Sequence, residues 1–267
     1  YIFSPRQKRH QENSFCYDWY NFLKSNTFAR LFNDIRYNKI LASLTTYFPS
    51  DYIAVDVNSV RPEYPMSSIN LIEQPGLKDR FVAAFYKPLE HLVKPVGDIL
   101  YDLAACLPWD ITFHEEKCFR PIQEHLARGG TAHSVDMKSA TDRFPWIYQR
   151  KFVENLYPNS RLWRNYVDLY DEVIHLPAVY SGSSGLTGTW KVGQPLGSYP
   201  SFAIFTDTHG ATLYRLNGNK WNGEFWIHGD DIIILDDELA RKYKEFLRMS
   251  GVDTSSFKTI TSSVLAE

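Results

Sequence analysis

Glu224-Phe225-Trp226-Ile227-His228-Gly229-Asp230-Asp231-Ile232-Ile233-Ile234-Leu235 sets two apolar, β-prone runs on either side of a Gly-Asp-Asp tripeptide. The pattern predicts a β-hairpin with carboxylates at its tip. Turns use Gly and Asp freely, so the tripeptide alone says little. Two like charges beside apolar strands, however, repel each other and lose solvation. Divalent cations would offset both costs.

Working outward, Asp236, Asp237 and Glu238 open a helix whose buried face carries Leu239, Tyr243, Phe246 and Leu247, with Gly251 as its stop. Upstream, a glycine-rich loop runs from Ser181-Gly182-Ser183-Ser184-Gly185 through Gly193-Gln194-Pro195-Leu196-Gly197-Ser198, into a helical stretch from about Pro200 to Leu216. Glycines let such a loop approach a ligand closely. Earlier still, Thr131-Ala132-His133-Ser134-Val135 is a short β-leaning run that delivers Asp136 at its end. If that strand neighbours the hairpin, Asp136 and Asp230 can share two Mg²⁺ ions about 4 Å apart, with Asp231 supporting the same site. Asp142 precedes Pro145, where an acidic cap and a first-turn proline are tolerated. Tyr148, Phe152 and Leu156 then recur at helical spacing, and Leu162, Tyr166, Leu169, Tyr170 and Val173 mark a second amphipathic helix. The first 130 residues read as short helical patterns joined by Pro-containing connections such as Val60-Arg61-Pro62-Glu63-Tyr64-Pro65, and their pattern alone identifies no fold.

At 267 residues, with 44% hydrophobic and 15% aromatic content, the chain can bury a substantial core. The net charge of -2 gives no global signature of a nucleic-acid-binding module. Residues 1–50 nevertheless carry Arg6, Lys8, Arg9, Lys24, Arg30, Arg36 and Lys39 against Glu12, Asp18 and Asp34. Solvated helices or a phosphate-holding wall would both explain that excess. Cys16, Cys106 and Cys118 have neither disulfide-framework nor zinc-ligand spacing. No apolar stretch is long enough to span a bilayer. The opening Tyr1-Ile2-Phe3, without an initiator Met, and the closing Val264-Leu265-Ala266-Glu267 lead to the expectation of a piece cut from a longer chain.

Ser134-Val135-Asp136-Met137-Lys138-Ser139-Ala140-Thr141-Asp142-Arg143-Phe144-Pro145 resembles the first palm motif of mitovirus RNA-dependent RNA polymerases and their narnavirus and levivirus relatives. Gly193-Gln194-Pro195-Leu196-Gly197-Ser198-Tyr199 is similar to the second motif and His228-Gly229-Asp230-Asp231 to the third. Gly251-Val252 through Ser255-Ser256-Phe257-Lys258-Thr259 resembles the fourth, and Leu265-Ala266-Glu267 the start of a fifth. Gln74-Pro75-Gly76-Leu77-Lys78-Asp79-Arg80-Phe81-Val82 resembles the basic fingers motif that grips the incoming triphosphate. Leu77 stands where mitoviruses often have a second glycine, and Asp79 separates the two basic residues. Lys94-Pro95 and Asp110-Ile111-Thr112-Phe113 also look mitoviral, so the resemblance covers roughly residues 70 to 267.

The resemblance implies an α+β right-hand polymerase, with fingers in residues 1–130, an antiparallel palm sheet flanked by helices in residues 131–267, and a thumb outside this chain. It implies two Mg²⁺ or Mn²⁺ ions on Asp136, Asp230 and Asp231, an RNA template and product, and ribonucleoside triphosphates. Lys78 and Arg80 would neutralise phosphates. Asp142, Gly193, Gln194, Gly197 and Ser198 would line the nucleotide site, and Lys258 would protonate departing pyrophosphate. The setting would be a host mitochondrion or the cytoplasm. His133 and His228 read as packing or hydrogen-bonding residues. A reverse-transcriptase-like palm polymerase and a non-catalytic, endogenised relic that binds RNA are the competing readings.

Overall fold

The computed structural model describes residues 21–45, 65, 67–74, 78–181 and 185–264. Residues 1–3, the basic cluster Arg6, Lys8 and Arg9, Cys16, most of the Val60–Pro65 connection, the segment 75–77, the loop residues 182–184 and the closing Leu265-Ala266-Glu267 lie outside the described residues. The chain packs as two compact units: residues 1–94 with 157–189, and residues 95–156 with 190–267.

In the first unit, helices α1 (Asn26–Asn33) and α2 (Asn38–Thr45) precede a long hairpin of β1 (Ser67–Gln74) and β2 (Lys78–Phe85). The hairpin pairs Ser67 with Phe85 through Gln74 with Lys78. This is the element that the search for short helical patterns misses. A Pro-Gly pair between two β-prone runs is the signal that could have found it. Strand β4 (Ala178–Tyr180) joins β1 in parallel, and β5 (Thr187–Gly188) closes the order β2-β1-β4-β5. Arg36 ties the α1–α2 connection to the helix of residues 161–174: its guanidinium lies 2.6 Å from Asp34, 3.2 Å from Asp168 and 2.8 Å from Glu172.

In the second unit, β6 (Phe225–His228) and β7 (Asp231–Ile234) form the expected hairpin. Together with β3 (Ala132–Ser134) and β8 (Ile260–Ser262) they make an antiparallel sheet in the order β6-β7-β3-β8. The uninterrupted run Ile232-Ile233-Ile234-Leu235 is explained by cover on both faces. Ile232 and Ile234, with Phe225 and Ile227 of β6, pack into a core containing Phe144, Phe205, Leu213, Tyr243 and Leu247. Trp226, Ile233 and Leu235 face the opposite cluster of Ile111, Cys118 and Ile122. Each fully buried Ile or Phe of this set contributes about 1.5–3 kcal/mol by leaving water, and the partly buried Ile233 and Leu235 less.

Helix α3 (Lys87–Cys106) crosses the boundary between the units at Lys94 and Pro95, and α4 (Glu116–Ala127) carries Cys118 and Ile122. Residues 95–130 belong to the same compact unit as this sheet. The physical reason is that the 109–111 segment hydrogen-bonds along β6, Ile111 N–H donating to Ile227 and Ile227 N–H to Trp109, both at 3.0 Å.

The short α5 (Ala140–Arg143) leads to α6 (Trp146–Leu156), and α7 (Arg161–Ile174) follows. Both of these longer helices lie where the spacing predicts; on α6 the buried face is rotated, and on α7 it is the predicted face widened. Trp146, Gln149 and Val153 are buried on α6, while Tyr148 is 43% exposed. On α7, Leu169, Tyr170 and Val173 go inward as predicted, joined by Trp163, Val167 and Ile174, while Leu162 stays half in solvent. Helix α8 (Ser201–Leu216) is buried nearly all round, and α9 (Asp237–Met249) is capped by Asp236, which accepts from Leu239 N–H at 2.7 Å. No helix among the described residues is long and apolar enough to cross a membrane.

Two carboxyl groups interrupt this core. Asp207 of α8 is fully buried, and neither of its side-chain oxygens has a hydrogen-bond partner among the described residues. Asp110 is buried beside it, one oxygen accepting from Thr112 N–H at 2.8 Å and the other unpartnered. Burial first, and the Asp110 charge second, push the Asp207 carboxyl up to about 8. The folded chain thus keeps a proton that the unfolded chain has released above the ordinary carboxylate range, so stability falls as pH rises toward 8 and levels off beyond it. The slope is about 1.4 kcal/mol per pH unit. Asp207→Asn, which cannot ionise, should gain melting temperature over the wild type increasingly between pH 5 and pH 8.5. Thermal melts at a series of pH values check this, and a difference that does not change with pH would contradict it.

Candidate active site

Register brings the sequence-predicted aspartates together. Strand β3 pairs with β7 through His133 with Ile234 and Ser134 with Ile233. Continued by two residues, that pairing sets Asp136 opposite Asp231 at the end of the sheet. His228 pairs with Asp231 across the β6–β7 hairpin, leaving Gly229 and Asp230 as a two-residue turn. Gly229 has φ +63° while Asp230 does not have positive φ, the pattern of a type II′ turn, which wants glycine at its first central position. Asp230 and Asp231 are exposed and Asp136 is intermediate.

The strand end carrying Asp136 is pinned from the side by the 253–255 segment. Lys138 N–H donates to Asp253 and Ser255 N–H donates to the Asp136 carbonyl, both at 2.8 Å. The same segment delivers Lys258, whose Nζ lies 3.6 Å from Asp136 Oδ1. The three carboxylates sense one another. Loss of solvent raises the Asp231 pKa, the Asp230 and Asp136 charges add to the rise, and His228 and Lys258 oppose it. An all-oxygen, anionic donor set with like-charge repulsion is the chemistry that hard divalent cations suit. Among the described residues, no three His, Cys, Asp or Glu side chains converge as a ready-made coordination shell.

The remaining expected residues divide. Asp142 is exposed on α5, and its Oδ1 accepts from the Trp190 indole N–H at 2.8 Å. Its backbone and that of Thr141 are packed against the glycine-rich loop: Gly193 N–H donates to Asp142 O at 3.0 Å and Gln194 N–H to Thr141 O at 2.9 Å. A Cβ on Gly193 would run into the Thr141 carbonyl, so this glycine permits loop-to-helix contact rather than approach to a ligand. The Gln194 side chain is likewise withdrawn from solvent. It is fully buried and donates to Gln149 Oε1 at 2.6 Å and to the Ser201 carbonyl at 3.0 Å, which corrects the expectation that it faces substrate. Gly197 is exposed with φ +113°, and Ser198 is 4% exposed at the start of α8. Lys78 and Arg80 belong to β2 of the first unit, paired with Gln74 and Ile72, with Arg80 exposed.

The histidines act as hydrogen-bonding residues. His133 reaches Asp237 at 2.7 Å and Thr261 at 3.0 Å, and His228 lies 3.0 Å from Glu115. Sequence reasoning passes over His209 and Glu115, and reads Tyr243 only as a buried residue of its helix. His209 sits in the polar run Thr206-Asp207-Thr208-His209, which gives no local sign that it is buried.

Residues 8–267 match the mitovirus RNA-dependent RNA polymerase family. The RNA-directed RNA polymerase of Cryphonectria parasitica mitovirus 1 (strain American chestnut tree/New Jersey/NB631) is 28% identical over 209 residues, covering 76% of this chain and 25% of that protein. This chain thus spans a quarter of that polymerase's length. An uncharacterized mitochondrial protein of Arabidopsis thaliana is 27% identical over 159 residues, 58% of this chain and 76% of its own length. Among solved structures, a human picobirnavirus RNA-dependent RNA polymerase with its insertion loop deleted aligns with TM-score 0.53 at 16% identity, over 74% of this chain and 42% of that one. A Candida tropicalis telomerase without its C-terminal domain gives 0.54 at 14% identity, over 84% and 55%. These likenesses establish a polymerase-type α+β fold. With the family match running through the palm motifs and across nearly all of its length, the chain belongs to the mitovirus RNA-dependent RNA polymerases.

Proposed function

We propose that this chain is the catalytic part of a polymerase that copies an RNA template by nucleotidyl transfer from ribonucleoside triphosphates. The meeting of Asp136, Asp230 and Asp231 at one end of the second-unit sheet carries this reading. In it, residues 131–267 supply the palm and residues 1–130 the fingers. Asp136 and Asp230, with Asp231 supporting, would hold two Mg²⁺ or Mn²⁺ ions, which when bound acidify the primer 3′-hydroxyl and neutralise the triphosphate.

The chain's own groups do the rest. Lys258, beside Asp136, donates a proton to the departing pyrophosphate, and its 3.6 Å separation from Oδ1 supports its place at the reacting end. Lys78 and Arg80 hold the triphosphate, and Asp142 reads the sugar from the exposed start of the helix that follows Asp136. Trp190 engages Asp142 Oδ1, which leaves Oδ2 as an acceptor. The mitochondrial relatives in Arabidopsis support a mitochondrial setting. A second reading draws on the telomerase likeness: at TM-scores of 0.53 and 0.54 the fold does not separate RNA from DNA synthesis. The three intact aspartates speak against a non-catalytic relic.

Three experiments test the reading. Asp136→Asn and Asp230→Asn should each abolish metal-dependent incorporation by several orders of magnitude while the protein stays folded, because an amide cannot supply an anionic ligand. Wild-type-like synthesis by either variant sinks the assignment. Lys78→Ala and Arg80→Ala should raise the nucleotide KM about tenfold with a smaller effect on template affinity. Equal loss of template binding with an unchanged KM would move them to the RNA channel. Asp142→Ala should reduce the preference for GTP over dGTP, since a lost 2′-hydroxyl contact is worth about 1–3 kcal/mol. The ratio of kcat/KM for the two nucleotides on one RNA template is the measurement. An unchanged ratio leaves Asp142 only its bond to Trp190, and a wild type that prefers dGTP would favour DNA synthesis.

A further inference from the structure

The carboxylate of Asp230 sits on a two-residue turn, and a turn that short has no bulk of its own to hold it. What holds it is on α8. His209 is fully buried, and its Nδ1 lies 2.9 Å from the carbonyl oxygen of Gly229, the residue that precedes Asp230. Its Nε2 lies 2.6 Å from the Tyr243 hydroxyl of α9. The imidazole stacks on the Tyr243 ring, centroids 5.5 Å apart at 29°, and is flanked by Phe205 and Phe144.

These contacts fix which nitrogen bears the hydrogen. A peptide carbonyl only accepts, so Nδ1 must be the donor. Complete burial lowers the His209 pKa to about 4, so at neutral pH the ring is neutral and Nε2 is left as an acceptor. Tyr243 supplies the matching donor. Its single hydroxyl hydrogen goes to Nε2 at 2.6 Å in preference to the Met137 thioether at 3.8 Å. Met137 is in turn the residue after Asp136. One buried cluster therefore touches the Gly229 carbonyl and the Met137 side chain, each belonging to a residue next in sequence to a site aspartate.

We propose that His209 is a positioning residue for the Gly229–Asp230 turn, acting through the Nδ1–H tautomer that the Gly229 carbonyl requires and the Tyr243 hydroxyl complements. The proposal rests on the polymerase reading only in taking Asp230 as the group being placed. It differs from a merely structural histidine in one respect: the bond to Gly229 should govern chemistry and tautomer, while the bond to Tyr243 should govern stability.

Two substitutions in the full chain separate these roles. His209→Asn keeps a donor near the Nδ1 position and loses the reach to Tyr243. His209→Gln carries its amide out toward Tyr243 and leaves the Gly229 carbonyl without a donor. Both should lower the melting temperature. Only His209→Gln should lower kcat, by about 10- to 100-fold as expected for a displaced reacting group, with the nucleotide KM little changed. His209→Asn should retain most of kcat. Independently of activity, ¹⁵N-resolved imidazole spectra of the wild type should show the Nδ1–H tautomer at neutral pH, retained in Tyr243→Phe, where the Gly229 carbonyl still requires it. A wild-type Nε2–H tautomer overturns the proposal, even if a variant fails to fold. So does His209→Gln with undiminished kcat. Retained synthesis in Asp230→Asn would instead overturn the polymerase reading and leave the tautomer result standing.

Discussion

Asp136, Asp230 and Asp231 repel one another, and partial loss of water around Asp231 adds to the repulsion, so the backbone that carries them has to be held by forces acting elsewhere. The second unit meets that demand from three sides. Behind the carboxylates, β6 and β7 are apolar on both faces and clamped between the Phe205–Tyr243 core and the Ile111–Cys118–Ile122 cluster. Beside Asp136, two backbone hydrogen bonds from the 253–255 segment fix the strand end. At the turn, glycine supplies the positive φ that a two-residue connection requires. The β6–β7 hairpin is consequently held where the charges are and polar only at its turn end.

How far the sequence disclosed this depends on the kind of signal. Elements marked by local chemistry were readable: Asp236 as a cap, Gly251 with φ +73° as a stop, and the hairpin around Gly229-Asp230-Asp231. Both helices after Asp142 were readable as helices, and the second mostly by face, since Leu169, Tyr170 and Val173 are buried, but the first was not. Tyr148 and Leu162 have the hydrophobicity of core residues, yet Trp146, Gln149 and Trp163 take the interior. Gln149 illustrates why periodicity misleads there, since its burial is justified by a partner, Gln194, 45 residues away. The site followed the same division. Carboxylates at strand ends announce themselves, whereas Gly193 and Gln194 were assigned to substrate for want of any way to see that Thr141 and Gln149 were their neighbours.

Residues 1–94 were opaque for a further reason. Their sheet is built from segments distant in sequence, β1 taking β4 as a parallel neighbour across more than a hundred residues, and neither strand alone declares the pairing. Arg36 shows the same dependence on remote partners. It is one of seven basic residues in the first fifty, and nothing local distinguishes it, yet it meets three carboxylates within 3.2 Å. An excess of positive charge counted from sequence therefore overstates what is available to phosphate, because at least this cation is already spoken for within its own unit.

The strip of backbone at residues 109–111 has a consequence of another kind. By hydrogen-bonding along β6 it occupies the outer edge of the most apolar strand pair in the molecule. An uncovered edge beside Phe225-Trp226-Ile227 would be a template for strand addition from a neighbouring molecule. The opposite edge is formed by β8, only three residues long and ending in Ser262. Edge-to-edge aggregation through this sheet is thus blocked on one side by the chain's own backbone and confined on the other to a strand too short to propagate it.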